Sequence, residues 1–139
     1  MDRLILSKSS AVLREAMEAT MEYKHDNFID GMIFFIDYLI EYFKKNKILL
    51  KIIYKNLSWG LYRKALARPD DYKEMRQIVN LLLDFLKADG FVEEDTEKVL
   101  FMIIELTGSV IYSSIILEEP DHIDNMKPVL FQAIRKMLA

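Results

Sequence analysis

The chain has 139 residues, 52% of them hydrophobic, with a formal net charge of −3 and a pI near 5.4. That is enough apolar chain for one domain with a real core, and it excludes intrinsic disorder. No block of Lys and Arg lies along one face, so an electrostatic footprint for nucleic acid is missing; without cysteine there are no disulfides, thiol nucleophiles or thiolate-bound zinc.

Four Gly and three Pro leave little punctuation, which predicts long helices joined by short loops. A first helix is expected from Ser9 or Ser10, both good N-caps, to about residue 23. Ala11, Leu13, Ala16, Met17, Ala19 and Met21 give it an apolar side opposite Arg14, Glu15, Glu18 and Glu22. Lys24-His25-Asp26-Asn27 breaks the pattern, and Asp26 is placed to cap the next helix. That second helix, 28–45, is rich in aromatics and apolar on most sides. Lys44 and Lys45 suit its C-terminal dipole, and Asn46 reads as its stop. A third segment covers 48–66, with a kink or split at Ser58-Trp59-Gly60, and Arg68-Pro69-Asp70 ends it. A fourth, 71–88, keeps a 3.6-residue period through Met75, Ile78, Val79, Leu82, Phe85 and Leu86, with Gly90 as its left-handed terminator.

Residues 99–117, VLFMIIELTGSVIYSSIIL, hold one charge, Glu105, and no proline. As a helix they would extend roughly 28 Å. Asp95 reads as the N-cap. Such a helix is apolar over most of its circumference and has to be covered on more than one side, by its own fold plus a partner or by lipid. Its small residues, its central Glu105 and its acidic flanks (Glu93, Glu94, Asp95, Glu97, Glu118, Glu119) favour protein over membrane. A last helix, 122–138, follows Asp121, which with Asp124 resembles a capping box. Ile123, Met126, Leu130, Ile134 and Met137 share one face, Val129 and Phe131 widen it, and Pro128 should bend it or shorten its first turn. The pattern predicts an all-α single-domain bundle of about six helices over residues 1–139.

Three pieces of this arrangement resemble the C-terminal regulatory domain of tetracycline-repressor (TetR) family transcription regulators. Ser7-Lys8 followed by Ala11-Val12-Leu13 and Ala16 resembles the start of the helix linking that family's DNA-binding head to its body. The run Phe35-Ile36-Asp37-Tyr38-Leu39-Ile40-Glu41-Tyr42-Phe43, then Lys44-Lys45-Asn46, looks like the next long helix and its break. The lead-in Leu86-Lys87-Ala88-Asp89-Gly90-Phe91-Val92 through Asp95, followed by an apolar helix containing Gly108, looks like the entry to the helix pair that forms a dimeric four-helix bundle. The chain departs from the pattern in having Ser9 where Glu is usual and Leu4-Ile5-Leu6 where aromatics are expected. It also starts where the helix-turn-helix module would end, so no DNA contact by this chain alone is expected; DNA binding would belong to a full-length protein, and a naturally headless relative is the other possibility.

The resemblance implies a homodimer through Ile103, Gly108, Val110, Ile111 and Ser114 of the long helix and Ile123, Met126, Leu130 and Ile134 of the last. It also implies a small, largely apolar or aromatic effector held among the helices of 28–45, 48–66, 71–88 and 99–117. Candidate contacts are Phe35, Tyr38, Tyr42, Trp59, Tyr62, Met75, Met102, Glu105 and Tyr112. Aromatic and Met side chains also make solid core, and a helical interaction module without a ligand is the competing reading. Lys98, Glu105 and Tyr112, seven residues apart, share one side of the long helix with Ser109; a carboxylate there could bind a cationic ligand, but the favoured reading is the helix's solvent strip.

Two Glu-x-x-His pairs, Glu22…His25 and Glu119…His122, bring a ferritin-like di-metal site to mind. The first lies at a helix end and the second spans Pro120, so neither presents its groups on one helix turn. No nucleophile-elbow, phosphate-loop or dinucleotide motif occurs. A non-enzymatic, cofactor-free cytoplasmic protein is expected; MDRLILSKSS has no long apolar core or cleavage site of a secretory leader.

Overall fold

The structure, a computed structural model, describes residues 2–25, 27–53, 80, 84, 87 and 93–138. Among these the protein is all-α, with no strand. Its helices are α1 (Asp2–Glu22), α2 (Phe28–Lys45), α3 (Lys47–Ile53), α4 (Glu93–Tyr112), which runs on into a π-helical turn (Ser113–Leu117), and α5 (Ile123–Leu138). Five α-helices are described where the sequence suggests about six. The expected breaks at Ser58-Trp59-Gly60 and Arg68-Pro69-Asp70 and the terminator Gly90 lie outside the described residues. Of the expected fourth helix, Asn80, Asp84 and Lys87 are helical and exposed.

α1 begins at Asp2, well before Ser9. Nothing from Asp2 to Ser10 is Gly or Pro, so the helix has no reason to wait for a serine cap. Its buried stripe is Val12, Ala16, Met17 and Thr20, while Ala11 and Met21, expected on the apolar side, are exposed. α2 is capped by Asn27, whose side chain accepts from the Asp30 amide at 2.9 Å. Met32, Phe35, Ile36, Leu39, Ile40 and Phe43 then recur at helical spacing and are buried. Asn46 stops α2 as expected: its amide donates to the Phe43 carbonyl at 3.2 Å and its side chain to the Tyr42 carbonyl at 2.9 Å. The same residue starts α3, accepting from the Leu50 amide at 3.1 Å. One asparagine therefore serves two helix ends.

α4 starts at Glu93, so Asp95 lies inside the helix and does not cap it. It buries the stripe Thr96, Leu100, Ile103, Thr107 and Ile111, continued by Ser114 and Ile115 in the π turn. Glu118 closes that turn in the left-handed region (φ 56°), its amide donating to the Ser113 carbonyl. The Glu119–Pro120 bond is cis. In α5, Ile123, Leu130, Ile134 and Leu138 are buried, Met126, Phe131 and Met137 are half-buried, and Val129 is exposed and does not widen the face. Pro128 sits within α5 without ending it. The expected capping box does not form: Asp121 accepts from the His122 amide and from Asn125, and Asp124 turns away to Lys44.

These stripes meet in one core. α1 folds back on α2, α4 packs on α5, and α5 crosses to α2. Ile40, wholly buried, sits where α2 serves this core. Ile40→Ala should lower stability by about 2–5 kcal/mol through lost burial and the cavity left behind. Ile48→Ala, at an exposed site, should change it by less than about 0.5 kcal/mol. Urea midpoints of the two variants check this.

Candidate functional site

The geometry around α4 and its neighbours determines what the fold can offer a ligand or partner. α5 is fixed to α2 by a row of ion pairs. Asp30 meets Arg135 at 3.0 Å, Lys127 reaches Asp37 and also Glu41 at 3.2 Å, and Lys44 meets Asp124 at 2.7 Å and Glu41 at 3.1 Å. Residue numbers rise along α2 as they fall along α5, so the two helices run antiparallel. The hydrogen bond from Lys44 holds the Glu41 carboxyl below its ordinary range, with Lys127 adding to the effect. Lys44 likewise lowers Asp124 and is itself raised by Asp124 and Glu41. Lys127 is also raised: burial works against its charge, but Asp37 and Glu41 outweigh it.

On the other side of α2, Tyr38 is half-buried and hydrogen-bonds to Glu15 of α1. Burial, and then the Glu15 carboxylate, push its hydroxyl above the ordinary tyrosine value. Tyr42, one turn on, is half-buried with its ring edge-on to Phe43 at 5.5 Å. Phe35 lies in the core. Of the expected ligand contacts, α2 thus brings Tyr38 and Tyr42 together beside a buried Phe35. Trp59, Tyr62 and Met75 lie outside the described residues. Met102 (48% exposed) and Glu105 are on the outward side of α4, with Lys98 and Ser109 exposed and Tyr112 half-buried; this strip matches the solvent-facing reading.

The expected dimer residues divide. Ile103, Ile111, Ser114, Ile123, Leu130 and Ile134 are buried by their own chain, because α4 and α5 turn these stripes toward each other and the core. They are not surface residues of the single chain. Gly108, Val110 and Met126 remain half-buried. A Cβ added at Gly108 would meet nothing within 4 Å. Phe101 (45% exposed) and Met102 are the large apolar side chains of α4 that are partly exposed.

The inward stripe holds a feature that the sequence reading did not single out. Thr107 Oγ1 and Ser114 Oγ are buried without a hydrogen-bond partner. Each such group costs about 1–3 kcal/mol when left unmet. The signal was available: Thr107 and Ser114 are seven residues apart and in phase with Leu100, Ile103 and Ile111. π turns of the kind that carries Ser114 occur disproportionately at functional sites.

The two histidines have partners other than the expected glutamates. His25 Nε2 lies 2.8 Å from the Thr20 carbonyl, with its ring against Phe34. His122 Nδ1 lies 3.3 Å from Glu118, not Glu119, at an exposed position. Among the described residues no group of three His, Asp or Glu could hold a metal ion. Among the same residues one helix, Asp95–Leu117, is long and apolar enough to cross a membrane.

Comparison with known protein families, with characterised proteins and with solved structures finds no match to this chain.

The ion-pair row makes a pH prediction. Glu41 and Asp124 are lowered in the folded state from ordinary values of 4.5 and 3.8. Their contribution is therefore complete above those values and is lost as pH falls through the lower folded ones. Thermal midpoints should drop on acidification below about pH 4. Lys44→Met should flatten that drop, and a midpoint series from pH 6 to pH 2 on both proteins checks it.

Proposed function

We propose that this chain is a regulatory domain that binds a small, mostly apolar effector and works as a homodimer, in the manner of the TetR-family domains it resembles, without catalysis of its own. The observation that carries the reading is the two-sidedness of α4. One stripe is covered by its own chain, while Met102 is about half exposed and Gly108 has open space beside it. Glycine inside a helix costs roughly 1 kcal/mol relative to alanine. At Gly108 nothing in the protomer needs that absence of side chain, and a second helix approaching closely does. The effector would favour one packing of the helices over another and act only through that difference in affinity. Transmission to DNA would need a helix-turn-helix outside these residues.

The length and apolarity of Asp95–Leu117 favour one other reading, a membrane span. Exposed Glu105 in mid-helix and exposed Glu118 and Glu119 beyond its end weigh against it, since carboxylates are costly in lipid. Sedimentation in detergent-free buffer separates the readings. The expected result is a soluble dimer at micromolar concentration. Gly108→Leu should weaken it roughly tenfold or more by overpacking the approach, while the protomer gains up to about 1 kcal/mol from helix propensity. A monomeric wild type, or a dimer indifferent to Gly108→Leu, would remove this interface; insolubility without detergent would favour lipid.

A further inference from the structure

We draw no further inference here: the strongest candidate, the outward surface patch of α3 where Lys47, Ile48, Lys51 and Ile52 are exposed, carries nothing because nothing in the structure shows what covers it.

Discussion

The antiparallel docking of α5 along α2 is the constraint on which the rest of the arrangement depends. α1, α2 and α3 follow one another through short connections, and α4, the π turn and α5 do the same. These two groups meet where α5 lies on α2, with α3 touching the π turn. The ion pairs along that seam are partly exposed, and such pairs add little stability individually. Their value is in register. Arg135 against Asp30, Lys127 against Asp37 and Glu41, and Lys44 against Asp124 are satisfied together only at one alignment. The free energy comes from the stripes beneath, where Ile40 and Ile134 are fully buried. With α5 so fixed, α4 packs on it and turns the stripe of Leu100, Ile103 and Ile111 inward.

That geometry explains why so apolar a helix looks ambiguous when considered alone. Residues 99–117 are too apolar for a single-stripe surface helix, yet the single chain buries only one stripe of them. The inward face contains hydroxyls without partners, and the outward side contains half-exposed Phe101 and Met102. An unmet buried donor lowers stability, and so does an apolar side chain left in water. Buried polar groups without a partner are few in natural folds, whereas singly exposed apolar side chains are common. The two features lie on different sides of one helix.

Local chemistry was legible wherever the deciding partner lay within a turn or two. The spacing of Met32, Phe35, Ile36, Leu39, Ile40 and Phe43 announced the core face of α2, and Asn46 announced its end, because each depends on residues no more than a turn away. α1 starts well before Ser9 and Ser10, which look like caps but lie in a stretch that has nothing to interrupt a helix. The α5 capping box failed for a non-local reason: Lys44, 80 residues away in sequence, takes the carboxylate of Asp124. The same holds for Lys127, whose bond to Glu41 spans 86 residues. Charge pattern along one helix cannot reveal such a partner. The dimer residues that the resemblance implies are mostly apolar positions of the long and last helices, and the chain's own core has first claim on most of them. Periodicity finds the face that is buried; it does not say by what.

If the proposed effector and a second copy both act on α4, coupling between them needs no long pathway. Both contacts are made by α4, whose diameter with side chains is about 10–12 Å. A small rotation of α4 on α5 would change both faces at once, while the α2–α5 seam stays in register. The ligand would have to prefer one rotation, and the dimer would then have to prefer the same one or oppose it. The coupling is reciprocal by thermodynamic necessity, so dimerisation would alter ligand affinity by the same factor by which ligand alters dimerisation. Such coupling is typically about 1–3 kcal/mol, comparable with the penalty of one unmet hydroxyl. Satisfying Thr107 or Ser114 in one rotation and not in the other would therefore suffice to bias the two packings.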